Sequence, residues 1–328
     1  MKGVRFLRYL YFVLLSCFLL ILPPVVSAHA IPTTPGKITE YSISGGNGPN
    51  GIVRGPDGNF WVVETDGNTI DRITPKIKVT HFPIPTSQSI PAEIALGPDG
   101  NLWFTEEIGN SIGRITPEGV ITEFPVPTNN GWPAGITLGP DGNLWFTEYN
   151  AGQIGKITPG GQITEYPLAD SQSVPWGIAS GPDGNLWFTE ANDNKIGRIT
   201  LSGQITEFPV PTSNAYPFEI TSGGDGHLWF TEREAGKIGR ITKGGKITEY
   251  PLPKASSQPS GITLGPNRNI WFTEVIGNKI GRITPRGVIT EYLIPSDPSV
   301  AQDITPGSHG KLWFTENYTN DIANITDR

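Results

Sequence analysis

Seven tryptophans, Trp61, Trp103, Trp145, Trp187, Trp229, Trp271 and Trp313, follow one another at intervals of 42 residues with no insertion between them. Spacing this regular marks one supersecondary unit copied seven times, and seven copies occupy nearly all of the 328-residue chain. Such a chain must stack or wrap its copies, because no single unit of this size can bury its own apolar face.

One copy shows what the unit builds. Residues 133–148 read Pro-Ala-Gly-Ile-Thr-Leu-Gly-Pro-Asp-Gly-Asn-Leu-Trp-Phe-Thr-Glu, followed by Gln153-Ile-Gly-Lys-Ile-Thr and Gln162-Ile-Thr-Glu-Tyr-Pro-Leu. These are four short β-rich runs. Asp141-Gly142, Asn150-Ala151-Gly152 and Pro159-Gly160-Gly161 separate them with turn chemistry. No stretch sustains a helical period. Four antiparallel strands recurring every 40 to 50 residues or so make a propeller blade, whereas solenoids of this period are mostly helical. The expected fold is therefore all-β: a seven-bladed β-propeller over residues 31–328, with four-stranded blades of 42 residues. The ends complement each other. Ile38-Thr39-Glu40-Tyr41 is an outermost-strand sequence with no blade in front of it, and the last unit lacks that strand. The N-terminal strand is expected to complete the seventh blade and so hide an edge that would otherwise be unpaired.

Residues 1–30 have the order of a secretory signal: Lys2, Arg5 and Arg8, an apolar run over residues 10–22, then Ala28-His29-Ala30. Cleavage near Ile31 and a location outside the cell, secreted or on the envelope exterior, are expected; an uncleaved membrane anchor is the alternative. Cys17, the only cysteine, falls in this segment, so the propeller has neither a disulfide nor a thiolate nucleophile. The net charge is −7, and removing the segment takes away three positive charges and no acids. No basic stripe remains to neutralise phosphates, which argues against a nucleic-acid partner. No membrane contact is expected beyond the signal, and a monomer is expected.

A residue present in nearly every blade cannot mark one site. The seven tryptophans read as packing between blades, and the Thr-Glu pairs from Thr105-Glu106 to Thr315-Glu316 read as structural. Function must come from departures from the repeat in the loops at the channel mouth. The position after Pro49, Pro91, Pro133, Pro175, Pro217, Pro259 and Ala301 reads Asn50, Ala92, Ala134, Trp176, Phe218, Ser260 and Gln302. The next reads Gly51, Glu93, Gly135, Gly177, Glu219, Gly261 and Asp303. Glu93, Glu219 and Asp303 thus replace glycine around the channel. They are candidate ligands for a hard cation, Mg²⁺ or Ca²⁺, or candidate catalytic carboxylates; three solvated acids with no metal are the plainer reading. Trp132, Tyr149, Trp176, Tyr216 and Phe218, with Ser260 and Gln302 beside them, form a candidate ligand-binding patch. The competing reading has the rings packing on one another to cap the blades.

Histidine supplies the negative. His29 belongs to the signal, His227 and His309 fall on turns at the opposite face, and His81 takes the place of a repeated outer-strand Glu. No histidine general base is expected at the mouth, so Ser-His-Asp or Cys-His catalysis has no parts.

The repeated Leu-Trp-Phe-Thr-Glu, the Asn-Lys-Ile-Gly-Arg-Ile-Thr of residues 278–284 and the Ile-Thr-Glu-Phe/Tyr-Pro resemble the virginiamycin B lyase family along essentially all of residues 31–328. The resemblance implies a seven-bladed propeller and a C–O lyase that opens a cyclic depsipeptide antibiotic, a type B streptogramin, by Mg²⁺-assisted elimination. It also implies a histidine base just after the Pro position of the last blade and a second histidine one blade earlier. Here those positions hold Gln302 and Ser260. The resulting expectation is a divergent binding member of the family that holds a small or glycan-like ligand at the channel mouth. The alternative is a streptogramin-type lyase or hydrolase using channel carboxylates and a divalent metal.

Overall fold

The computed structural model describes residues 36–326; the segment read as a secretory signal lies outside the described residues. Within them the chain forms seven four-stranded antiparallel sheets. Blade 4 is representative, with strands Pro175–Ser180, Leu186–Glu190, Lys195–Ile199 and Ile205–Pro209 running in order from hub to rim. The innermost strands touch one another in succession, and the last, Ala301–Pro306, meets the first, Pro49–Arg54, to close the ring. One short 3₁₀ turn, Pro266–Arg268, is the only helix among the described residues. None there is long and apolar enough to cross a membrane.

Closure follows the expected path. Lys37–Ser42 pairs antiparallel with Asp321–Thr326, setting Ile38 opposite Ile325 and Tyr41 opposite Ile322. This strand covers the outer edge of the seventh sheet, so the blade built from both ends of the chain has the same four strands as the others.

The repeat residues explain why the blades form and how they lock. Trp187 is 0% exposed and packs into the next blade against Ile220, Leu228 and Phe230. Within its own blade it stacks on Phe208, with the Arg198 guanidinium 5.5 Å above the ring. Arg198 donates onward to the carbonyl of Lys243 in the following blade. The indole N–H bonds to Asp183 Oδ1 at 3.0 Å, and Asp183 also takes the backbone N–H and side-chain amide of Asn185. The Asp-Gly turn therefore does more than reverse the chain: it satisfies the one polar atom of a buried tryptophan.

The Thr of Thr-Glu is the hub lock. Thr189 Oγ1 accepts from Gly177 N in its own blade and donates to Phe218 O in the next. The same link to the next blade recurs through Thr105, Thr147, Thr231, Thr273 and Thr315. It fastens a bulge that every innermost strand carries, as in the register shift between Pro175 and Ile178. The Glu that ends the second strand, after Thr in six blades and after Val63 in blade 1, is buried in all seven. Burial, followed for Glu148 by the charge of Glu165, pushes that carboxyl up to about 8. Glu190 and Glu232 are raised to about 8 in the same way. Burial thus favours the protonated form of these acids, and their place in every blade fits the structural role read from their repetition.

Candidate functional site

The mouth is shaped by a backbone device that repeats while its side chains do not. The residue before each innermost strand adopts a left-handed φ: Ile90 at 51°, Trp132 at 55°, Val174 at 56°, Tyr216 at 54°, Gln258 at 52° and Val300 at 56°. Only blade 1 uses glycine there, Gly48 at 74°. A β-branched residue in this region carries about 1–3 kcal/mol of strain. The carbonyl of each is held by the N–H that follows the second strand, as in Tyr149 N to Trp132 O at 3.2 Å and Arg233 N to Tyr216 O at 3.1 Å. Six blades accept the strain and keep a side chain at the mouth.

On blades 3 to 5 Trp132 of this row joins three rings from neighbouring positions, Tyr149, Trp176 and Phe218, in one aromatic chain. Trp132 lies 5.5 Å from Tyr149, Tyr149 lies 5.0 Å from Trp176, and Trp176 stacks on Phe218 at 4.8 Å with 24° between the planes. The Arg233 guanidinium sits 4.6 Å over Phe218. Burial raises the Tyr216 phenol, and the charge of Arg233 beside it pulls the other way. Tyr149 and Phe218 are 8% exposed, whereas Trp132, Trp176 and Tyr216 are half-buried. The rings pack on one another as the capping reading has it, and Trp132 and Trp176 keep part of their surface exposed. Ser260 is shut into the interior at 2% exposure, and its carbonyl takes the Thr231 hub bond. Gln302 keeps a half-buried side chain at the equivalent place in blade 7.

Just below lie the three acids, and each leans over the glycine of the preceding blade. A Cβ on Gly51 would stand 2.9 Å from Glu93 Oε2, one on Gly177 2.7 Å from Glu219 Oε2, and one on Gly261 3.0 Å from Asp303 Oδ1. Asp303 crosses the ring closure: its Oδ2 accepts from Ile52 N at 3.0 Å and its Oδ1 from Ile304 N at 2.7 Å. Burial nonetheless pushes Asp303 up to about 6. Burial and then the Asp303 charge push Glu219 up to about 8. Glu93 is raised well above the ordinary carboxyl range by burial, then by Asp303, then by Glu219. The three share one electrostatic environment, in which an ionised Asp303 disfavours ionisation of the other two. None of them has a lysine or arginine ion-pair partner among the described residues.

As for the cation reading, no three His, Cys, Asp or Glu side chains among the described residues converge closely enough to hold a metal ion. The three carboxyls reach one another by charge across the channel. Two loop residues that the sequence already sets beside the aromatic patch as polar neighbours contribute here: Glu107, whose charge adds to that on Glu93, and Arg233, which covers Phe218. The signal for the first was an acid directly after a repeated Glu; for the second it was a lone arginine at the same column position.

His81 is held away from the mouth. Its Nδ1 bonds to Asp71 at 2.8 Å and its Nε2 to the carbonyl of Ser44 at 3.0 Å, on the outermost strand of blade 1.

Fold and site together define a β-propeller whose non-repeating chemistry is gathered at one end of its channel. The sequence model of the virginiamycin B lyase family matches residues 27–175 and 168–328, and the chain belongs to that family. Virginiamycin B lyase from Staphylococcus aureus shares 41% identity with it at a TM-score of 0.86, over 89% of this chain and 99% of that one. A streptogramin B lyase shares 40% identity at a TM-score of 0.85, over 88% and 97%. A catalytically inactive histidine-to-alanine variant of the Staphylococcus aureus lyase, with quinupristin, shares 40% at 0.86 over 89% and 99%. Kuenenia stuttgartiensis hydrazine synthase, at 17% identity and a TM-score of 0.68 over 93% and 99%, is similar in fold alone. No curated protein matches the chain.

Proposed function

We propose that this protein is an exported member of the virginiamycin B lyase family that binds a small ring-bearing or glycan-like molecule at the channel mouth without histidine-dependent lyase chemistry. The observation that carries this reading is the continuous aromatic chain from Trp132 through Tyr149 and Trp176 to Phe218. It offers flat apolar surface for a ring, while Gln302 and Ser260 stand where the family's chemistry calls for histidines. Stacking on such a surface gives affinity without a reaction.

A second reading has its own observation. Glu219 at about 8 and Asp303 at about 6 are a proton-holding and a proton-accepting carboxyl in one site, the division of labour that acid–base catalysis uses. One experiment separates the two. The chain without residues 1–30 is incubated with quinupristin and Mg²⁺; binding is followed by calorimetry and the linear product by mass spectrometry. Binding without product supports the first reading. Turnover that Glu219→Gln abolishes supports the second, and turnover that this variant leaves intact overturns both. Quinupristin is chosen because a relative holds it.

A further inference from the structure

The mouth joins two surfaces that ordinarily exclude each other: stacked rings above, and carboxyls with no counter-charge directly below. Phe218 and Glu219 are consecutive, Trp176 stacks on Phe218, and the Glu219 carboxyl lies over Gly177, the residue that follows Trp176. Glu219 Oε1 is buried with no hydrogen-bond partner. An unsatisfied buried carboxyl oxygen costs about 1–3 kcal/mol and more if charged, so the position is unfavourable for the protein alone. The glycine of the preceding blade leaves room for both this carboxyl and the Phe218 carbonyl, each 2.7 Å from where a Cβ would stand. Blade 1 beneath Glu93 and blade 6 beneath Asp303 make the same provision.

We infer that the channel below the aromatic patch is a subsite for an organic ammonium group, so that the ligand is an aromatic amine whose ring stacks at Trp176 and whose protonated nitrogen reaches Glu219 and its partners Asp303 and Glu93. This rests on the mouth-binding reading and adds the chemical class of the ligand. Among the described residues, the three acids do not gather into a cluster of His, Cys, Asp or Glu side chains that could hold a metal ion. An alkylammonium suits the arrangement: it needs only two or three acceptors, and its carbon stem packs against the rings while the charge is neutralised below. The carboxyls facing the ammonium are Glu219, Asp303, Glu93 and, beside Glu93, Glu107. Because Glu219 is protonated near neutrality, ammonium binding expels a proton from the site, and affinity rises with pH toward about 8.

Three probes with one indole ring test this: tryptamine, a cation; tryptophol, neutral; and indoleacetate, an anion. Titration calorimetry near pH 7 is run in two buffers of different ionisation heat, so that proton release is counted alongside affinity. Tryptamine is expected to bind about tenfold tighter than tryptophol, a ratio worth about 1.4 kcal/mol, and to release protons. Indoleacetate should bind weakest. Glu219→Gln should erase the tryptamine advantage and its proton release while leaving tryptophol unchanged. Its melting temperature should not fall, because an amide replaces a carboxyl that has no partner at Oε1; this confirms a folded variant. Equal affinity for tryptamine and tryptophol, both lost in Trp176→Ala, overturns the ammonium subsite and leaves the aromatic mouth standing. Failure of all three probes to bind overturns the mouth reading and the subsite with it.

Discussion

Blades 1 and 4 are copies of the same unit that fill their interiors by different means. In blade 4 the buried Phe188 ring lies against Gly197, where any Cβ would overlap it, and Glu207 on the next strand bonds to Lys195 at 2.7 Å. In blade 1 the same cross-strand row reads Val62, Asp71 and His81. The smaller Val leaves room, Asp71 fills it with a carboxylate that is 0% exposed, and His81 with Thr69 supplies its hydrogen bonds. Three departures from the repeat thus answer one another. At the mouth Glu219 also replaces a glycine of the repeat, and Arg233 of the same blade lies over Phe218 and forms no ion pair with Glu219. The blade 1 departures are compensated inside the protein and maintain the fold; the acid at the mouth is not, and the proposed ligand site rests on that difference.

The largest effect expected concerns what the two blades share, the buried Glu ending each second strand. Glu64, Glu106, Glu148, Glu190, Glu232 and Glu316 are raised to about 8, and Glu274 to about 7, with burial the first cause in each. Between the ordinary carboxyl range and about 8 the folded chain holds more protons than the unfolded one. The stabilising contribution is therefore complete at acid pH and is lost as pH rises through about 8. Melting temperatures should fall from about pH 5 to about pH 8, most steeply at about pH 6 to 7 where the folded chain holds these protons and the unfolded chain has lost them, and level off by about pH 9. A flat profile would show these carboxyls to be ionised and solvated instead.

Next in size is a direct attack on the interior lock. Gly197→Asp places the blade 1 residue under the blade 4 ring and should cost about 4 kcal/mol or more, from overpacking plus an unpaired buried charge. Adding Phe188→Val and Glu207→His should restore most of that loss in a denaturant titration. If Gly197→Asp alone unfolds at the wild-type midpoint, the space argument is wrong. Conversely, His81→Leu strands Asp71 and should cost about 3 kcal/mol near neutrality. The loss should shrink toward acid pH, where Asp71 takes up a proton. An equal loss at every pH would mean that packing, and not charge, is what His81 supplies.

The sequence made the architecture readable because its punctuation is periodic: the tryptophan interval, turns such as Asp141-Gly142 and the orphan strand around Ile38 each have one structural meaning. It also located the mouth, since columns of the repeat map to fixed places on a blade. What it could not display is any relation between blades. The glycine that admits each acid lies a whole unit earlier in the chain, and Thr189 serves a bulge on either side of a blade boundary. Burial was equally hidden: Ser260 and Gln302 occupy equivalent positions, yet only the first is sealed by its neighbours. His81 was correctly kept from the mouth by its place in the repeat, but Val62 and Asp71, which explain its presence, fall into one row only through strand register.

The smallest effect expected is a gain, and it concerns a departure that lies far from the mouth and has no compensation either. In blades 1 to 5 the indole N–H of the repeat tryptophan donates to the turn Asp at 3.0 to 3.3 Å. In blade 6 that Asp is Asn267 and the following glycine is Arg268, both at left-handed φ of 57° and 60°, and Trp271 Nε1 is buried without a partner. Asn267→Asp together with Arg268→Gly should supply the missing acceptor and relieve the left-handed arginine, for about 1 kcal/mol of added stability. Affinity for a mouth ligand should not change, because this turn is at the other end of the innermost strand. An unaltered denaturation midpoint would mean that the Asp–indole bonds of the other blades position the turn without stabilising it. A changed affinity would mean instead that blade 6 transmits strain along its innermost strand to Ser260, and that uncompensated positions cannot be assigned to site or scaffold by distance alone.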